Sequence, residues 1–236
     1  MLEFDSRREL FIGKTTEEAV AFAVEHFLDT AKRAIQQRAK FVVALSGGST
    51  PKEIYRRVVL AQDLDWTKVF LFWSDERAAP PDHLESNYHM AMEHFGKVPV
   101  PKGQIFRMRA EENIERNAQD YQEKIERYAG KHLFDLVMLG VGEDGHTASL
   151  FPETDALLEE SRLVVANYVP AKNMKRMTLT FPCINGSRKI AIYALGKSKR
   201  EIVGKVLHAP ILSPYPASRV GTTERPALWI LDYAVR

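Results

Sequence analysis

The sequence has almost no cysteine: Cys183 is the only one in 236 residues. One thiol cannot close an internal disulfide, so oxidative stapling plays no part in this fold. Cys183 sits in the apolar run Leu-Thr-Phe-Pro-Cys-Ile and reads as a small core residue. No apolar run approaches the ~20 residues that a membrane-spanning helix needs, so no membrane partner is expected. The opening stretch carries Glu3, Asp5, Arg7, Arg8, Glu9 and Lys14, which leaves no room for a secretory signal. A cytoplasmic location is the resulting expectation. Net charge is also nearly absent, at +2 from 33 basic and 31 acidic side chains. A nucleic-acid-binding protein would carry a larger, clustered basic excess, so nucleic acid is not an expected partner. The balance still allows a small basic pocket for one anion.

Repeats, low-complexity segments and clear linkers are missing as well. Pro80-Pro81 and the Pro99 to Pro101 stretch are short and loop-like. Residues 1–236 therefore read as a single domain, long enough to bury a sizeable core. Hydrophobic residues at 45% and charged residues at 27% are ordinary for a globular chain.

What is present is an alternation of apolar runs and amphipathic stretches. Thr15 is placed to cap a helix, with Glu18 three residues on. Ala19, Phe22, Ala23, Phe27, Ala31 and Ala34 then mark one apolar face. Phe41 to Ser46, Val69 to Trp73 and Asp135 to Gly140 are short apolar runs that predict strands buried on both faces. Helices are predicted after Pro51, over Asn87 to Phe95, along Ile114 to Tyr128, and over Lys199 to Leu207. Further strands are expected at Met177 to Phe181, in Ile-Ala-Ile-Tyr-Ala-Leu and in Ala-Leu-Trp-Ile-Leu. This order predicts an α/β, Rossmann-like fold: a mostly parallel central sheet with helices on both faces. Ligands of such sheets bind beyond the carboxyl ends of the strands.

Three unusual segments follow predicted strands. The first is Ser46-Gly47-Gly48-Ser49-Thr50-Pro51. Its glycines allow a sharp turn and close backbone approach. The helix start supplies unpaired N–H groups, and Ser49 and Thr50 add hydroxyls, which together suit a phosphate. A plain turn with a helix cap explains this loop equally well. The segment matches neither the Walker pattern nor G-x-G-x-x-G. The second is Ser74-Asp75-Glu76-Arg77, read as a loop; its Arg suits phosphate or carboxylate geometry. The third runs from Gly140 to Pro152 around Asp144-Gly145-His146. An imidazole can take a proton from water, which makes His146 a candidate base, while Asp144 can orient the ring and favour its cation. A surface histidine in a turn is the plainer alternative for a lone His; the flanking glycines and the strand-end position favour function. The other six histidines read as structural or solvent-facing.

Together, Leu-Ser-Gly-Gly-Ser-Thr-Pro, Trp-Ser-Asp-Glu-Arg followed by Ser86-Asn87-Tyr88, and Leu-Gly-Val-Gly-Glu-Asp-Gly-His-Thr-Ala-Ser-Leu-Phe-Pro resemble the 6-phosphogluconolactonase family. The resemblance continues in Arg176 to Pro182, Gly196-x-x-Lys199 and the closing Leu-Trp-Ile-Leu-Asp, and covers residue 41 to the C-terminus. It implies the fold shared with glucosamine-6-phosphate deaminase. It also implies hydrolysis of a small phosphosugar lactone, 6-phosphogluconolactone, in the pentose phosphate pathway, with no metal or organic cofactor. His146 matches the family's catalytic His and Asp144 its neighbouring Asp; Arg77, Arg176 and Lys199 match basic positions expected to line the sugar-phosphate pocket. With Gly47, Gly48, Ser49, Thr50 and Asp75 these complete the expected binding set.

The chemistry expected of this set is general-base attack of water on C1, with oxyanion stabilisation by a glycine loop or Arg77. The phosphate supplies remote binding energy, for which the Ser46 to Thr50 loop and Lys199 are the leading candidates. Ser149 lies outside a G-x-S-x-G elbow, which disfavours a covalent serine. A metal held by Asp75, Asp144 and His146 is a weak pattern, with no second histidine at ligand spacing. A deaminase-like isomerase is the nearest alternative. That family carries a Glu five residues after the His, where this chain has Phe151. A non-catalytic sugar-phosphate sensor is the other, though no DNA-binding module is evident. The oligomeric state is not legible.

Overall fold

The structure is a computed structural model that describes residues 2–130 and 133–235. One of the six background histidines, His132, therefore lies outside the described residues. The chain runs β1 (Leu2–Asp5), β2 (Arg8–Gly13), α1 (Thr16–Arg38), β3 (Phe41–Leu45), α2 (Ser49–Val58), β4 (Val69–Trp73), β5 (Asp75–Arg77) and α3 (Asn87–Phe95). It continues through α4 (Ile114–Ala129), β6 (Leu136–Gly140), β7 (Val164–Val169), β8 (Met174–Leu179), α5 (Phe181–Gly186), β9 (Ile190–Ala194), α6 (Arg200–His208) and β10 (Ala227–Asp232), with short 3-10 turns between.

The central sheet has seven strands in the order β1-β2-β10-β9-β6-β3-β4. Its pairings are parallel except β1 with β2. Every residue of β3, β9 and β10 is buried, so both faces of the sheet are covered there, as continuous apolar strands require. α1 lies against the sheet through small residues: Ala19, Ala23, Ala31 and Ala34 are fully buried. Phe27 packs edge-on to Phe41 with centroids 5.3 Å apart. Thr15 caps α1 by accepting from the Glu18 N–H at 3.1 Å, and the Glu18 carboxylate reaches back to the Lys14 N–H at 2.8 Å.

The winding of the sheet decides where function can sit. From β3 the chain passes to its neighbour β4 on one side, and then β6 pairs with β3 on the other. The direction of winding reverses at that point, which opens a crevice at the carboxyl ends of β3 and β6. β9 flanks β6, so the loops after β9, β6, β3 and β4 emerge side by side.

Three expectations need correction. The Asp75 to Arg77 segment is strand β5, and β8 does not join the central sheet. Both belong to a separate antiparallel sheet in the order β5-β8-β7. The chain leaves the central sheet at Ser74, whose N–H donates to the Leu45 carbonyl (2.7 Å) and whose own carbonyl accepts from Leu179 N–H (2.9 Å). Phe181, expected at the end of a strand, opens α5 instead, because Thr180 turns its hydroxyl to accept the Cys183 N–H at 3.4 Å.

Candidate active site

The loop after β3 is fixed from below by a buried tyrosine. Tyr55 of α2 accepts the Ser46 N–H at 2.9 Å and donates to the Ser46 carbonyl at 2.8 Å. Burial pushes the Tyr55 phenol well above its ordinary value, so it stays a hydroxyl that can both donate and accept. Gly47 then passes so close to Asn87 that a Cβ there would lie 1.9 Å from Asn87 Oδ1. Gly48 has φ +105°, a conformation side chains rarely adopt, and α2 begins after it without a side-chain cap. The start of α2, with Ser49 and Thr50, faces the crevice.

β5 brings the second group. Asp75 is 5% exposed and surrounded by donors. Ser149 Oγ donates to it at 2.6 Å, Asn87 Nδ2 lies at 3.2 Å, and Arg176 Nη1 stands 3.9 Å away. Asp75 is thus committed to the protein and does not join Asp144 and His146 as a metal set. Among the described residues no three His, Cys, Asp or Glu side chains gather as metal ligands. Glu76 turns the other way and accepts from Ser86 Oγ (3.0 Å) and from the N–H groups of Asn87 and Tyr88 (both 2.8 Å), anchoring the start of α3. Burial raises the Glu76 carboxyl, against the pull of those N–H donors.

Arg77 and Arg176 sit opposite each other in the β5–β8 register. Arg77 Nη1 donates to the Glu85 carbonyl, but Nε of both arginines is buried without a partner. Burial lowers the Arg176 value; Asp75 opposes that and Arg77 adds to it. Two guanidiniums side by side put positive charge at one end of the crevice, an arrangement that can hold an anion.

The third loop carries His146. Asp144 Oδ1 lies 2.5 Å from His146 Nδ1 and also accepts the His146 N–H at 3.1 Å. Burial works upward on the Asp144 carboxyl, but its hydrogen bond and charge interaction with His146 outweigh this and hold it below its ordinary value. Gly142 is needed at its place, since a Cβ would lie 2.0 Å from His146 Nδ1. Thr147 Oγ1 donates to the Gly140 carbonyl at 2.8 Å, tying the loop to the end of β6. On one side of the imidazole lies the ring of Phe151, with centroids 3.9 Å apart and planes at 19°. After β9, Lys199 reaches back so that Nζ donates to the Val141 carbonyl at 2.9 Å.

These parts line one open cleft of about 270 Å³. Gly47, Gly48, Ser49, Thr50, Asp75, Arg77, His146, Arg176 and Lys199 all border it, while Asp144 stands behind His146. The cleft also takes in Asn87 and Tyr193, which carried no assigned role. Asn87 stood in the Ser-Asn-Tyr run, but only folding brings it against Asp75 and Gly47.

A reversal crevice holding a histidine–carboxylate pair at one place and two guanidiniums at another is the arrangement expected of a sugar-phosphate enzyme on an α/β sheet. Comparison with known proteins makes the class specific. Residues 14–229 match the family described as glucosamine-6-phosphate isomerases/6-phosphogluconolactonase, and the chain belongs to that family. It is 42% identical to a 6-phosphogluconolactonase of Chlamydia pneumoniae, over 98% of this chain and 91% of that protein. Among solved structures, the 6-phosphogluconolactonase of Thermotoga maritima superposes with TM-score 0.81 at 28% identity, covering 96% of this chain and 99% of that one. A monomeric glucosamine-6-phosphate deaminase shares the fold with TM-score 0.81 at 22% identity, covering 97% of this chain and 100% of that one.

Proposed function

We propose that the cleft hydrolyses 6-phospho-D-glucono-1,5-lactone to 6-phospho-D-gluconate, the lactone step of the pentose phosphate pathway, with His146 as general base. The observation that carries this reading is the convergence of His146 and the Gly47–Gly48 loop on one cleft that also holds Arg77, Arg176 and Lys199. Named relatives support an enzyme of this type.

In this reading His146, with Asp144 at Nδ1, acts through Nε2 on a water molecule. Nε2 takes a proton as the water oxygen bonds to C1, and the carbonyl oxygen becomes an oxyanion. The C1–ring-oxygen bond then breaks, and the imidazolium returns the proton to the ring oxygen. Asp144 stabilises the cation between those events. General-base help of this kind gives roughly 10²–10⁴-fold. The phosphate keeps all its bonds; held by the arginines, Lys199 and the start of α2, it fixes C1 for attack. No helix of the described residues is long and apolar enough to cross a membrane.

The test is a continuous lactonase assay with an uncatalysed control, run beside an assay for ammonia released from glucosamine 6-phosphate. Lactone turnover that is lost in His146→Ala, without ammonia release, is the expected result. Ammonia release, or undiminished turnover in His146→Ala, overturns it.

A further inference from the structure

The bond to Asp144 fixes one corner of the His146 ring. A hydrogen bond at Nδ1, with Gly142 close to the same edge, does not set the tilt of the imidazole plane, and a tilted ring no longer aims Nε2 at the cleft. The group that removes this freedom is Phe151. Its ring is parallel to the imidazole within 19°, with centroids 3.9 Å apart.

The chain is folded to produce that stack. Ala148 takes φ +47°, and the Leu150 N–H donates to the Thr147 carbonyl at 2.9 Å, which turns the loop back on itself. Phe151 is held in place in turn. It is 3% exposed, its carbonyl accepts from Thr154 Oγ1 at 2.8 Å, and the Arg176 guanidinium lies 5.5 Å from its ring centroid. The hydrolysis itself needs no phenyl group, which has no proton to move and no charge. A flat apolar face is nevertheless what a flat imidazole needs as a seat. The electron-rich face also tolerates the imidazolium that forms during the reaction.

We propose that Phe151 is a positioning residue for lactone hydrolysis: its ring holds the His146 imidazole in the plane that turns Nε2 into the cleft. The role rests on the lactonase reading above; the stack itself does not.

The test compares Phe151→Leu, which keeps apolar bulk and loses the flat face, with Phe151→Tyr, which keeps the ring. Phe151→Met replaces the leucine variant if that one does not fold. Misplacing a reacting group by about 1 Å costs on the order of 10²-fold, so kcat of Phe151→Leu falls by that order while KM holds. Phe151→Tyr retains most of the turnover. In proton NMR, the ring C–H signals of His146 lie upfield of a solvent-exposed histidine, from the phenyl ring current, and move downfield in Phe151→Leu. Unchanged kcat in folded Phe151→Leu, or equal losses in the Leu and Tyr variants, overturns the positioning role. Absence of the upfield shift in the wild type removes the stack. A wild type that shows the shift and yet does not turn over lactone overturns the lactonase reading and this role in it, and keeps the ring geometry.

Discussion

Ser149 Oγ donates to the Asp75 carboxylate across 2.6 Å, and both residues are buried. This bond joins the loop that carries His146 to the strand that carries Arg77, so the histidine end and the arginine end of the cleft share one support. Ser149→Ala leaves the carboxylate short of its nearest partner. A buried acceptor deprived of its donor costs about 1–3 kcal/mol, to be read as a lower urea midpoint with unchanged slope. An unaltered midpoint contradicts this support role.

Two glycines separate the halves of the site by kinetics. A methyl group at Gly142 meets the His146 ring, and one at Gly47 meets the Asn87 amide. Gly142→Ala therefore lowers kcat with modest change in KM, because it disturbs the base. Gly47→Ala raises KM, because it disturbs the turn into α2 and the Asn87 wall. The reverse pattern in steady-state kinetics assigns the two loops wrongly.

In the proposed reaction the basic residues act by binding. Lys199→Ala raises KM more than it lowers kcat, and it weakens competitive inhibition by inorganic phosphate. Arg176→Lys does the same, since a lysine loses the planar fork that can pair with two oxygens of one phosphate. A pure kcat effect in either variant removes that residue from the phosphate end.

His26 on α1 supplies a pH dependence outside the cleft. Burial, with help from the Lys189 charge and against Asp29, lowers its value from 6.5 to about 4. The folded-state value lies below the unfolded one, so between about pH 6.5 and 4 the unfolded chain binds the extra proton. The His26 contribution is full above that window and falls as pH drops through it, by at most about 1.4 kcal/mol per pH unit. Urea titrations across the window show a shallower slope for His26→Gln. An identical slope shows that His26 is not the group responsible.

The sequence disclosed the parts of this fold that a continuous apolar run marks. β3, β4, β6, β9 and β10 are buried stretches bounded by charge or glycine, and their order implied the parallel sheet. Asp75-Glu76-Arg77 has no such run; its strand character comes from pairing with Thr178, Met177 and Arg176. Val164–Val169 carried no predicted strand, and β2 lies in the first forty residues, for which no strand was drawn. Of the site, the glycine loop and Asp144-Gly145-His146 stood out because their residue types are unusual after a strand. Asn87 and the Phe151 stack did not, because their roles depend on approach in space: Asn87 meets Asp75 across twelve residues, and Phe151 meets His146 only after the loop turns back.

The most direct test of the shared cleft is a crystal complex with 6-phosphogluconate. The account predicts the phosphate among Arg77, Arg176, Lys199 and the start of α2, and the C1 carboxylate within hydrogen-bond reach of His146 Nε2. A phosphate seated against His146, or a ligand bound away from the Gly47–Gly48 turn, contradicts it.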